Sequence, residues 1–323
     1  MMIRKTTLIF IITFFTICLL SCGEEGIRDN LGEVYHIYDS SKAFKPFFFP
    51  SGDKIVFVER DIIGKGSSFV YYFATIDENG DNYEKLDMGG IIITDLCGMD
   101  LSYDGEMICF SAIEIGSLTE DGRDIYIMSS DGGDIERIDI DGKVGSLCFS
   151  ADGEWIYFVM EKKNLEEKDR MYRIRTDGSD LEYVGIEGYC LVVLTITPDN
   201  KYIIYNNYNQ FNGDYEEVIV KSLDGEESWE VLDETVGGLT VSPDCRWICY
   251  SGDAEKVGYD LFVVPFNRGE KVRITDCGIG YLKLDGGDFS PDWSNNYEWI
   301  VFSGIRPGEK GIFKVKVPDE FLP

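Results

Sequence analysis

Phe149-Ser150-Ala151-Asp152-Gly153-Glu154-Trp155-Ile156-Tyr157-Phe158 is the stretch on which the fold turns. A short polar turn runs into large apolar and β-branched residues. Asp-Gly supplies the positive φ that a tight hairpin needs, and the run after it has strand composition. The same pattern stands earlier as Leu101-Ser102-Tyr103-Asp104-Gly105-Glu106-Met107-Ile108-Cys109-Phe110. It returns as Ile196-Thr197-Pro198-Asp199-Asn200 leading to Tyr205, and as Val241-Ser242-Pro243-Asp244-Cys245 leading to Tyr250. The last copy is Phe289-Ser290-Pro291-Asp292-Trp293, with four extra residues before Phe302. A degenerate first copy, Phe48-Phe49-Pro50-Ser51-Gly52, leads to Phe57. Turn positions 52, 105, 153, 200, 245 and 293 recur at intervals of 53, 48, 47, 45 and 48 residues. Six copies at one period mark a repeat architecture.

Each copy carries a second hairpin signal. Ile125-Tyr126-Ile127-Met128 precedes Asp131-Gly132, and Asn79-Gly80, Asp177-Gly178 and Asp224-Gly225 stand at matching places. A short strand follows each, as in Ile135-Glu136-Arg137-Ile138. One unit therefore holds four strands joined by hairpins. The strand around Ile55-Val56-Phe57 is apolar on both faces, where a sheet with one wet face would alternate. Six such units packed face to face make an all-β protein, a six-bladed β-propeller of four-stranded antiparallel blades. The last unit stops after its third strand, Gly311-Ile312-Phe313-Lys314-Val315. Val34-Tyr35-His36-Ile37-Tyr38 matches Lys271-Val272-Arg273-Ile274-Thr275 and is expected to complete it, closing the ring and removing an open edge. His36 then lies on an outer strand, solvated.

The Ser-Pro-Asp-x-x-x-Ile-x-Phe pattern, as in Ser242-Pro243-Asp244, resembles the PD40 or WD40-like repeat of TolB-type propellers. The resemblance covers roughly residues 34–317. It implies the propeller alone, because the further N-terminal α/β domain of TolB-type proteins has no room before residue 34.

Residues 1–21 read as a leader. Arg4 and Lys5 precede an apolar run from Leu8 to Leu20, too short to span a bilayer and suited to a signal peptide. The run ends Leu19-Leu20-Ser21-Cys22, which resembles a bacterial lipobox and implies lipid on Cys22. The expected organisation is a signal peptide over 1–21, a tether over 22–33, the propeller over 34–317 and a tail over 318–323. The place is the cell envelope, with membrane contact through the N-terminal lipid only. Formal net charge is −29. Loss of Arg4 and Lys5 with the leader leaves about −31, a field that repels nucleic acid and favours a soluble monomer. Nine cysteines, one His and no Cys-x-x-Cys exclude the usual zinc patterns.

Little in the chain carries catalysis. No Gly-x-Ser-x-Gly elbow occurs, and one His on an outer strand gives no nucleophile–base pair. Asp104, Asp152, Asp199, Asp244 and Asp292 recur once per unit and read as turn-forming residues that cap their own backbone. No metal and no cofactor are expected. Function is then placed in the loops that break the repeat. Asn206 to Tyr215 stands out, with Asn207, Tyr208, Gln210, Phe211 and Tyr215 as the candidate contact residues. Aromatic rings interleaved with amides suit a peptide or a sugar; the same residues also read as a polar hairpin tip. The expected role is a non-enzymatic binding module for an envelope protein or peptide. The alternative is a carbohydrate-binding or polysaccharide-degrading protein relying on carboxylates.

Overall fold

The structure, a computed structural model, describes residues 28–323 except 64–67, 117–121, 163, 165–166, 209–215, 235, 254–258, 278–289 and 307. Cys22 and the leader lie outside the described residues. Each repeat folds as an antiparallel meander. In the third, Lys143–Phe149, Trp155–Glu161, Asp169–Arg175 and Glu182–Gly188 pair in chain order. In the fourth, Val192–Ile196, Tyr202–Tyr208, Glu216–Ser222 and Ser228–Leu232 do the same. Hydrogen bonding gathers the strands into five sheets, and the fold is a β-propeller. The largest sheet has eight strands, seven on its main path and Glu84–Lys85 paired beside it, and holds the first and second repeats. Between them there is one paired position, Tyr71 with Ile93.

The doubly apolar strands do what their composition requires. Ile156, Tyr157, Phe158 and Val159 are all essentially buried. Ile156 and Phe158 pack with Cys109, Ile125 and Ile127 of the repeat before. Tyr157 and Val159 pack with Ile196, Ile203 and Tyr205 of the repeat after. Each such side chain contributes about 1.5–3 kcal/mol, and alternate residues glue a sheet to its two neighbours.

The turns are built alike. In the second repeat Gly105 N–H donates to the Ser102 carbonyl, and Ser102 Oγ donates to Asp104 Oδ1 at 2.6 Å. Asp104 Oδ1 also accepts the Glu106 N–H. Gly105 has φ +77, and a Cβ there would meet Pro50 of the first repeat at 2.6 Å, so glycine is required twice over. Asp152, Asp199 and Asp244 make the same bonds. Asp292 does not. The turn of the sixth repeat is Ser294-Asn295-Asn296-Tyr297, where Ser294 Oγ donates to Asn296 Oδ1 and Tyr297 takes φ +67. The four extra residues before Phe302 are therefore a register error of the sequence reading. Asp292 sits on the inner strand, where the second repeat has Asp100.

Val34–Asp39 pairs antiparallel with Glu309–Lys316, so an N-terminal strand does join the last repeat. His36 on that strand is half-buried: its ring stacks on Phe313 at 4.6 Å, and its Nδ1 faces Glu309 at 3.7 Å. The stretches on either side of the propeller are also ordered against it. Arg28–Asp29 pairs in parallel with Val272–Arg273 of the fifth repeat. Phe321 is buried and meets Trp247 edge-on at 5.1 Å, while Arg28 pairs with Glu320. The two flanking stretches thus fasten over one repeat. The seven described cysteines are unpaired.

Candidate functional site

A channel of about 480 Å³ lies where the inner strands meet, lined from segments within 45–50, 97–103, 145–147, 191–198, 236–243 and 290–295. Its wall is stapled between repeats by side chains at one equivalent position, two before the turn Ser or Thr. Asp100 Oδ2 accepts the Phe149 N–H at 2.8 Å, and Asp292 Oδ2 accepts the Phe48 N–H at 2.8 Å. Thr240 Oγ1 accepts the Trp293 N–H at 3.3 Å. Phe47, Cys148 and Thr195 occupy the same place in the other repeats. At the turn end, Tyr103 reaches past the third repeat and donates to the Ile196 carbonyl at 2.8 Å.

Burial pushes Asp100 up to about 7, and the charge of Asp292 adds to it. Burial likewise pushes Asp292 up to about 7. The N–H bonds from Phe149 and Phe48 pull the other way and are outweighed. Desolvation also raises the Tyr103 phenol and the Cys109 and Cys148 thiols, so the groups around Asp100 are neutral at physiological pH.

Lys45 and Glu161 also line the channel. Lys45, held at φ +51, donates through Nζ to the Cys97 carbonyl at 2.8 Å. Arg123 bridges Asp95 and Glu161, both at 2.8 Å. Asn206 also lines the channel. It is buried, and its Oδ1 has no hydrogen-bond partner. The Oδ1 of Asn207, next along the strand, has none either.

A second cavity, about 760 Å³, opens where the last repeat meets the first. Tyr38 and Tyr83 stack there at 5.4 Å, and Tyr72 joins them on the wall. Buried Glu59 accepts from Tyr83 at 2.9 Å and from Ser40 at 3.1 Å.

Of the candidate residues read from sequence, Asn207 lies at the end of the strand Tyr202–Tyr208, half-buried and packed close to Gly188. The Tyr208 backbone pairs with Glu216. Gln210, Phe211 and Tyr215 lie outside the described residues. Asp100, Asp292 and Tyr103 were missed as channel residues. An Asp two positions before the turn Ser in the second and sixth repeats was the available signal, hidden by the register error at Asp292. Among the described residues, no group of three or more His, Cys, Asp or Glu is placed to hold a metal.

A β-propeller with a narrow, acid-bearing central channel is the class of protein these features define. No protein-family model matches the chain. Over 76 residues, 24% of this chain, it is 33% identical to an uncharacterized protein of Agrobacterium fabrum, and the match spans 23% of that protein. A protein assigned as TolB from Agrobacterium tumefaciens superposes with a TM-score of 0.61 at 15% identity, covering 88% of this chain and 97% of that one. TolB from Acinetobacter baumannii gives 0.54 at 17% identity, over 74% of this chain and 58% of that one. Oligogalacturonate lyase from Vibrio parahaemolyticus gives 0.56 at 14% identity, over 90% and 100%. Identities this low establish a shared fold, with TolB-like propellers among the neighbours.

Proposed function

We propose that the chain is a lipid-anchored envelope protein whose six-bladed propeller presents a loop face to a protein or peptide partner, without catalysing a reaction. The six-blade count rests on dividing the eight-stranded sheet at its single Tyr71–Ile93 link. Six inner segments around the channel agree with that count. The observation that carries the binding role is the buried, unpartnered amide oxygen of Asn206, which lines the channel on the strand that leads to residues 209–215. A buried acceptor without a donor costs about 1–3 kcal/mol, and a bound peptide N–H would relieve it. In this reading the lipid on Cys22 is the anchor that holds the face at the envelope.

The test is a cross-linked pull-down from native envelopes, run beside a variant with 209–214 replaced by Gly-Asn. One partner recovered with the wild type and lost with the variant is the expected result. Reproducible turnover of a polysaccharide would overturn the reading. Cys22→Ala is expected to release the protein from membranes, as fractionation would report.

The tyrosine-lined cavity around Glu59 favours a second reading, in which the chain binds or degrades carbohydrate. Stacked rings beside a carboxylate suit a sugar face and its hydroxyls. A glycan array negative at millimolar ligand removes it.

A further inference from the structure

We propose that the central channel is a binding site for an organic cation, the ammonium or guanidinium of a basic peptide side chain, held between Asp100 and Asp292. Both carboxylates stand at the same ring position of the second and sixth repeats and line one cavity. Each commits Oδ2 to a backbone N–H. The Leu101 N–H also serves Asp100, and the Trp293 N–H and Thr240 hydroxyl also serve Asp292. Acceptor capacity is left on each, because a carboxylate has about four acceptor sites. No described Lys or Arg pairs with either one. Lys45 is turned to the Cys97 carbonyl, and Arg123 to Asp95 and Glu161. The remaining groups near Asp100 are Tyr103, Cys109 and Cys148, which carry no positive charge. Around Asp292 stand Phe48, Trp293 and Thr240.

An independent feature of the wall also asks for a donor. Asn206 is 9% exposed, lines the same channel and leaves its Oδ1 unpartnered. Three acceptors that no described Lys or Arg engages, Lys45 on the same wall being turned to the Cys97 carbonyl, match a ligand made of N–H donors. The volume, about 480 Å³, suits one extended side chain and its backbone. It also sets this channel against an acidic sugar, which two carboxylates would repel.

Binding a cation here requires the carboxylates to be ionised, so it is coupled to proton release. With both groups near 7, affinity is expected to rise about tenfold to a hundredfold from pH 6 to pH 8, with about one proton released at pH 7. This deepens the peptide-binding reading and rests on it for the ligand's carrier.

Isothermal titration of the full chain with Gly-Arg-Gly and Gly-Lys-Gly amides, in buffers of different ionisation enthalpy, measures both quantities. Putrescine serves as the free-amine arm. The Asp100→Asn, Asp292→Asn double variant keeps an acceptor for each N–H, and is expected to lose binding and its pH dependence. If the double variant does not melt cooperatively, each single variant is expected to lose about tenfold in affinity at pH 8. Wild-type affinity unchanged between pH 6 and 8, no binding at millimolar peptide at pH 8, or equal binding by the variants overturns the site. Putrescine bound more tightly than either peptide overturns the peptide as carrier. The two readings fail separately. An envelope partner recovered equally by the double variant overturns the channel site alone, whereas cation binding with no partner recovered supports the site and overturns the partner.

Discussion

Asp104 and Asp100 belong to one repeat, four residues apart, and their surroundings drive them in opposite directions. At the turn, the Ser102 hydroxyl and the Glu106 N–H hold the Asp104 carboxyl below the ordinary carboxylate range. On the channel wall, burial raises Asp100 to about 7 although it too accepts an N–H. The turn is a repeated device whose exposed carboxylate water helps to solvate. The channel wall is a place where the same side chain is held against its preference. The difference teaches that the type of residue says little here: the number of donors per carboxylate and the access of water decide its state.

The largest effect is expected where the two regions meet. Tyr103 lies within the turn sequence yet seals the channel through Ile196. Tyr103→Ala removes a packed ring and a cross-channel hydrogen bond, and is expected to lower stability by about 3 kcal/mol in urea unfolding. Tyr103→Phe keeps the ring and is expected to cost about 1 kcal/mol. Equal losses in the two variants would show that the seal is the hydroxyl alone.

The next expectation sharpens the electrostatic contrast. Asp100 and Asp292 have folded pKa values raised above 3.8 to about 7. Their contribution to stability is therefore full below about 3.8 and lost as pH climbs toward 7. For one fully shielded carboxylate that change amounts to about 4 kcal/mol, and water in the channel reduces it. The wild type is expected to lose about 1–3 kcal/mol between pH 5 and 8 relative to the Asp100→Asn, Asp292→Asn variant. Asp104 and its turn equivalents act in the other direction: their contribution is present above 3.8 and fades only as pH falls below it. Unfolding curves at pH 3, 5 and 8 separate the two limbs. A wild type and variant that stay parallel from pH 5 to 8 would mean that the channel carboxylates are as well solvated as those of the turns.

The turns were legible because their chemistry is local. Ser, Asp and Gly at fixed offsets make the same hydrogen bonds wherever they occur, and six copies of a turn imply the meander and the ring. The sixth repeat shows how that legibility fails. Ser290-Pro291-Asp292 copies the motif of Ser242-Pro243-Asp244, while the working turn, Ser294-Asn295-Asn296-Tyr297, uses Asn for Asp and puts a tyrosine in the left-handed region. The channel was hidden for a different reason. Asp100 and Asp292 are 192 positions apart, and only ring closure brings their charges within reach of each other. The packing of 28–33 and 318–322 over the fifth repeat was missed likewise, since no local pattern announces a strand that pairs with Val272 or a Phe321 that meets Trp247.

The smallest effect compares two serines at one repeat position, each following the aromatic residue of a second strand. Ser111 Oγ accepts the Gly98 N–H at 2.9 Å and donates to the Gly145 carbonyl at 2.6 Å, tying the second repeat to the third. Ser251 is equally buried, and its Oγ has no partner. Ser111→Ala strands an N–H and a carbonyl in the core and is expected to cost about 1–3 kcal/mol. Ser251→Ala removes a hydroxyl that already lacks a bond, and is expected to change stability by less than about 0.5 kcal/mol, in either direction. Urea midpoints of the two variants measure the gap. If Ser251→Ala proved as costly as Ser111→Ala, the Ser251 hydroxyl would be bonded in solution, and water or a ligand would be holding that part of the fold.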